Sequence, residues 1–216
     1  VTAYYKTVFE NMHFIVVDKA AMVLSVPARL GDKDPRPCLG HILEHDLKCQ
    51  IYPVHRLDYE VQGLIMFAKT KEAHRAGNSW FENKVIKKTY VAKTSIQNAP
   101  TEKINIPFEW TCILLRGKKR SYESPQGKSS ITQGVLKEQC ADGTYRWHLN
   151  PITGRSHQLR YELYRHGCPI IGDELYGSQE KFSSDGIALR AFEINFEKIS
   201  ERSKFDLPEK ISILEF

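Results

Sequence analysis

One stretch of this chain sets a carboxylate close to two bases: His55-Arg56-Leu57-Asp58. Gly63 punctuates the chain five residues past the carboxylate, and residues 64–68 form a continuous apolar run that reads as a short buried strand. Asp58 is thereby placed on a loop rim just ahead of the core, a usual position for a reacting group carried by rigid elements. An ionised carboxylate there can act as a base or as a nucleophile. The competing reading is an ordinary turn or capping aspartate paired with Arg56.

A second constellation is cationic: Gly154-Arg155-Ser156-His157-Gln158-Leu159-Arg160. Ser156 is a good N-cap and Gly167 falls where a helix would stop, so a helix is predicted over 156–166. Arg155 and Arg160 flank its first turn, with Leu159 and Leu163 toward the core. Two further basic clusters are Lys84, Lys87 and Lys88, and Lys118, Lys119 and Arg120. Solvated faces and phosphate contacts account for such clusters equally well. His55 and His157 are read as structural hydrogen-bonding groups ahead of acid–base groups. Tyr161, Tyr164 and Tyr176 are read as core or rim residues.

The elements that must position these residues are read from periodicity. Phe14-Ile15-Val16-Val17 before Asp18-Lys19 reads as a buried strand, and 32–37, behind Gly31 and with two prolines, as a loop. Leu39, Ile42, Leu43 and Leu47 recur at helical spacing, which predicts a helix over 39–47. Thr70 starts a second helix with Ala73, Ala76, Trp80 and Phe81 toward the core and lysines near its end. Residues 85–94 read as a strand through Lys88-Thr89-Tyr90-Val91-Ala92. Residues 98–127 are poor in periodicity and read as a long connection with one short strand. Residues 129–139 and 144–150, split by Ala141-Asp142-Gly143, read as a hairpin, because Asp-Gly suits a turn that matches strand twist. Gly172-Asp173-Glu174-Leu175-Tyr176-Gly177 is a glycine-bounded loop, and 187–196 and 211–216 read as strands. The sum is α+β, with strands outnumbering helices.

Composition narrows the class. The 216 residues are 41% hydrophobic and 26% charged, which is globular rather than disordered and enough for one domain with its own core. The five cysteines, Cys38, Cys49, Cys112, Cys140 and Cys168, are odd in number and form no C-x-x-C pair. That pattern argues against structural zinc and a disulfide framework, and fits a reducing cytoplasm. No apolar run approaches the ~18 residues of a membrane span. No dinucleotide glycine motif, P-loop or zinc-ligand spacing is present. The net charge of +5 and pI of about 8.9 are compatible with a polyanionic partner.

Four blocks stand in order along the chain: His55-Arg56-Leu57-Asp58, Lys88-Thr89-Tyr90-Val91-Ala92, Gly154 to Arg160, and Gly172 to Gly177. Together they resemble the signature blocks of the RluA-type RNA pseudouridine synthases. The segments 14–19 and 188–196 are similar to that family's first and last blocks, so the resemblance covers nearly the whole chain. It implies a large, mostly antiparallel mixed sheet with flanking helices and a central basic cleft. It implies an isomerase acting on a structured RNA stem-loop of ribosomal or transfer RNA, by base flipping and without a cofactor. Asp58 matches the essential aspartate, Tyr90 the aromatic residue that stacks on the extruded uracil, and Arg160 the cation that pairs with the aspartate. Arg155 is the other candidate for that pairing. Arg56 matches the arginine that enters the space left by the flipped nucleotide, and Arg155, His55 and Lys88 join it as expected RNA contacts. The expectation is a single catalytic domain over 1–216 with no additional N-terminal RNA-binding domain, monomeric and cytoplasmic, without an obligatory protein partner.

In two places the chain departs from the pattern, the first being near the start, where the family's frequent Lys-Pro pair is Lys19-Ala20 here. Where the family has Thr-Ser-Gly after the aspartate, this chain has Val61-Gln62-Gly63. The two hydroxyls could hold the aspartate loop by local bonds to the backbone, which Val61 cannot do through its side chain. The departure at 61–62 leaves a second reading open, a catalytically weak RNA-binding protein on the same scaffold, or a subgroup with its own RNA target.

Overall fold

The computed structural model describes residues 4–28, 31–95 and 100–216. Its elements run β1 (Tyr5–Glu10), β2 (Phe14–Lys19), α1 (Leu39–Leu47), β3 (Tyr52–Pro53), β4 (Gln62–Ala68), α2 (Lys71–Glu82), β5 (Lys87–Thr94), β6 (Pro107–Arg116), β7 (Ser121–Glu123), β8 (Lys128–Gln139), β9 (Tyr145–Pro151), α3 (Gln158–Arg165), β10 (Leu189–Asn195) and β11 (Lys210–Ser212). The chain divides into two compact units, one of residues up to 87 with 191–215 and one of residues 88–190.

In the first unit β2 pairs antiparallel with both β1 and β4, and β3 adds to β4. β2 and β4 are buried along nearly their whole length, as their unbroken apolar runs require. α2 begins where Thr70 Oγ1 accepts the Ala73 N–H at 3.1 Å, the expected N-cap. Ala73, Gly77 and Trp80 turn inward from it. Trp80, Phe14 and Phe205 meet at centroid distances of 5.2–5.7 Å and centre a core that includes Val16, Leu64, Met66 and Ile194. The lysines expected near the end of α2 lie beyond it, and its last turn carries no basic residue. The closing strand is shorter than expected, three residues paired with β10.

In the second unit β5, β9, β8, β6 and β7 form an antiparallel ladder in that order. The hairpin between β8 and β9 turns where expected. Gly143 takes φ 83°, and Asp142 Oδ1 accepts from the Thr144 N–H and hydroxyl. The region expected to be a connection is different: 107–116 is a ten-residue strand and 121–123 a second one, while residues 98 and 99 lie outside the described part. Trp110, Cys112 and Leu114 are buried and alternate with exposed Glu109, Thr111 and Ile113, so β6 is covered on one face only. The Cys112 thiol donates to Glu162 Oε1 at 3.2 Å, and burial pushes it up to about 12. Cys168 is buried and is pushed up to about 11 for the same reason.

Candidate active site

Asp58 sits in the first unit on an irregular loop between β3 and β4, half-buried. Its neighbours are fixed. Leu57 and Val61 are 4% and 2% exposed and anchor the loop in the apolar interior. Three consecutive carbonyls, those of Leu57, Asp58 and Tyr59, accept from Ser25 Oγ, the Val61 N–H and the Met22 N–H at 2.8–3.2 Å. Arg56, on the same loop, is exposed. The Arg36 guanidinium lies 5.1 Å over the Tyr59 ring. His55 is a tie within this unit: its Nε2 accepts the Met66 N–H at 2.9 Å and its ring stacks on Phe81 at 4.5 Å. The accepting Nε2 must lack a proton, which puts the neutral ring's proton on Nδ1.

Gly63 explains why glycine stands at the start of β4. Its φ is 114°, and a Cβ there would lie 2.2 Å from the Ala191 carbonyl oxygen. No side chain fits.

Lys19 ends β2 fully buried, its ammonium donating to the Ala20 and Val23 carbonyls at 2.8 Å. Burial lowers it to about 7, against the opposing pull of the negative charges of Asp58 and Glu60. The interaction with Asp58 makes Lys19 part of the aspartate's electrostatic surroundings, a role that no sequence motif suggests.

The remaining expected residues lie in the second unit. Tyr90 and Lys88 are on β5, Tyr90 7% exposed and opposite Leu149 of β9. Desolvation lowers the Lys88 ammonium to about 8. Asn150 Nδ2 donates to the Lys88 carbonyl and to Thr89 Oγ1, which fixes this end of β5. Arg155 donates through Nε to the Ser129 carbonyl at 2.9 Å.

Arg160 is on α3 and is 2% exposed. Its Nε and Nη2 donate to the two oxygens of Asp173 at 2.7 and 2.8 Å, a bidentate pair with a carboxylate that is itself 1% exposed. Its Cζ stands 5.4 Å over the Tyr176 ring. Tyr176, 1% exposed, accepts the Ser121 N–H, donates to the Ser121 carbonyl and meets His157 Nδ1 at 3.2 Å. It is a core residue, the first of the two settings expected for it.

α3 starts at Gln158 and not at Ser156. His157 takes a left-handed conformation with φ 53° and makes no side-chain cap. The Gln158 amide does the local work instead. Its Oε1 accepts from Thr153 Oγ1 and from the Arg155 N–H, while its Nε2 donates to the Ile131 carbonyl and to Thr132 Oγ1. The loop carrying Arg155 is thereby pinned to β8. Asp173 and Gln158 carry no assigned role in the sequence. The glycine-bounded loop around Asp173 is the one signal that points to it.

Residues 13–164 match the RNA pseudouridylate synthase family, and the chain belongs to it. Two similar curated proteins are dual-specificity RNA pseudouridine synthases RluA. The one from Escherichia coli strain K12 is 36% identical over 173 residues, 80% of this chain and 77% of that protein. The one from Vibrio parahaemolyticus is 34% identical over 196 residues, 88% and 76%. Among solved structures the fold is similar to human RNA pseudouridylate synthase domain containing 1, with TM-score 0.69, 22% identity, and 89% of this chain and 78% of that one covered. It is also similar to human RNA pseudouridylate synthase domain containing 4, with TM-score 0.66, 20% identity, and 87% and 82% covered. The chain is an RNA pseudouridine synthase, an isomerase that converts uridine to pseudouridine in RNA.

Proposed function

We propose that this chain isomerises a specific uridine in ribosomal or transfer RNA by flipping the base out of its stack, with Asp58 as the essential carboxylate. The observation that carries this reading is the tethering of Leu57, Asp58 and Tyr59 beside an exposed Arg56. A group that must meet C1′ or the uracil ring needs a fixed approach, and a group that replaces a departed base needs freedom to enter a helix.

The reaction conserves atoms. The N1–C1′ bond breaks, C5 bonds to C1′, the C5 proton leaves and N1 gains one. A stacked base cannot reach the carboxylate, and flipping costs a few kcal/mol. Stacking on Tyr90 and filling of the gap by Arg56 offset part of that cost. Arg160 supplies a cation that favours ionised Asp58. Arg155, His55 and Lys88 contact RNA, and the partner is a structured stem-loop. Because one family region spans residues from both units, we read the chain as one catalytic domain. It acts as a cytoplasmic monomer without cofactor, membrane or obligatory protein partner.

The test is to map pseudouridines in RNA from strains with and without the gene, then to treat RNA from the deficient strain with purified protein. The reading expects the missing modification to reappear at one or a few stem-loop uridines. Restoration of none would overturn it.

A further inference from the structure

Residues 20–25 leave β2 as an irregular segment that belongs to no motif. Its Lys19 end is anchored by the two carbonyl bonds of the buried ammonium, and Leu24 donates to the Pro37 carbonyl and accepts the Leu39 N–H at the start of α1. Between these anchors, Met22 turns in a left-handed conformation, φ 61°, and its N–H reaches the Tyr59 carbonyl at 2.8 Å. Three residues on, Ser25 is 3% exposed, and its hydroxyl meets both polar backbone groups of Leu57. It donates to the Leu57 carbonyl at 2.8 Å and accepts the Leu57 N–H at 3.0 Å.

A hydroxyl has one proton to give and lone pairs to receive, so one Oγ can hold a residue's N–H and C=O together. Doing so fixes both backbone dihedrals of Leu57, and with them the direction in which the chain presents the next side chain. That next residue is Asp58. The family pattern has two hydroxyl residues just after the aspartate, and this chain has Val61, which is 2% exposed and packed away, and Gln62. The loop's hydroxyl clamp comes from 32 residues upstream.

We propose that Ser25 is a positioning residue for the isomerisation: by clamping the backbone of Leu57 it aims the Asp58 carboxylate at the reacting nucleoside. This rests on the reading of Asp58 as the essential carboxylate. A misplacement of about 1 Å can cost about 100-fold in rate, so a clamp acting on the neighbouring peptide has leverage on turnover that its distance from RNA does not suggest.

The experiment uses the full chain and RNA labelled with tritium at uridine C5, prepared from a strain lacking the gene. Isomerisation displaces the C5 hydrogen, so released tritium reads the rate under single-turnover conditions, and filter retention of the same RNA reads binding. Rates are scaled to the folded fraction from circular dichroism at the assay temperature. Ser25→Ala is expected to lower the rate by about 10–100-fold while RNA retention changes less than about threefold. Ser25→Thr, which keeps the hydroxyl, is expected to recover most of the rate. A Ser25→Ala rate within twofold of the parent overturns the proposal. So does a loss accounted for by the folded fraction or matched by binding, or a Ser25→Thr rate no better than that of Ser25→Ala. Asp58→Asn is run alongside: if that variant releases tritium normally, the assignment of Asp58 fails, and the role of Ser25 fails with it for that separate reason.

Discussion

The loop around Asp58 is tied through its backbone, whereas the helix around Arg160 carries a side chain tied at its head group. In the first unit the bonds go to the backbone, from Ser25, Met22 and Val61 to the peptides around the carboxylate. In the second unit the head group itself is bonded, donating to both oxygens of Asp173, with the face of Tyr176 alongside. Backbone tethers fix where a side chain starts. A fork on the head group fixes where the charge ends and keeps it a charge. On the function proposed above, a residue that forms or breaks bonds is placed from behind, and a residue that presents a field is held by its tip.

The sharpest way to break this division is Asp58→Asn, which leaves every backbone tether in place. Conversion should fall by about 1000-fold or more, with RNA affinity within a few-fold, measured by tritium release and filter retention. An equal loss in both would make Asp58 a structural residue like Asp173. Next is Asp173→Ala, which strips the fork from a buried guanidinium. We expect a loss of ~3 kcal/mol of stability in urea unfolding, together with reduced turnover. Arg160→Met should spare more stability than Asp173→Ala while lowering turnover far more than binding. Gly63→Ala then tests the frame behind the aspartate loop. With a left-handed φ and the Ala191 carbonyl in the way, it should cost ~2 kcal/mol or more, seen as a lowered urea midpoint.

The smallest effect is a pH dependence carried by two desolvated lysines, one in each unit. In the unfolded chain both titrate near 10.5, whereas in the folded chain Lys19 titrates at about 7 and Lys88 at about 8. Between those values the unfolded state binds more protons, so stability rises with pH from about 7 toward 10. Below pH 7 both states are protonated and these groups add no slope. Lys19→Met should remove the part of the rise that begins near pH 7, at most ~1.4 kcal/mol per pH unit, and Lys88→Met the part that begins near pH 8. Urea midpoints recorded from pH 6 to 9 separate the two.

Much of the fold is legible from local pattern. α1 spans the residues its leucine and isoleucine spacing predicts, and Thr70 caps α2 as its type suggests. β6 escapes such a reading because the run Ile113-Leu114-Leu115 blurs a period of two, and Pro100 and Pro107 read as breakers. Its alternation shows only once one face is covered. The start of α3 departs from expectation for a different reason. Ser156 has the composition of a cap, yet its carbonyl is taken by Ser121 Oγ, 35 residues away, and Gln158 is drawn to β8. Asp58 and Arg160 stand out by chemical type and order. Ser25 and Asp173 do not, because what gives each its task is a partner 32 or 13 residues distant. Side chains that act by long-range hydrogen bonds leave no periodic trace.

The burial of the cysteines has a practical consequence. With their thiols raised to about 12 and 11, Cys112 and Cys168 hold only about one part in 100,000 and one in 10,000 as thiolate at pH 7, so electrophiles and peroxide attack them slowly. Cys38 is also buried, whereas Cys49 and Cys140 are half-buried, one in each unit. A maleimide dye should therefore settle on those two first. Each unit thus carries its own attachment point, and two colours would show whether the units melt together or one before the other.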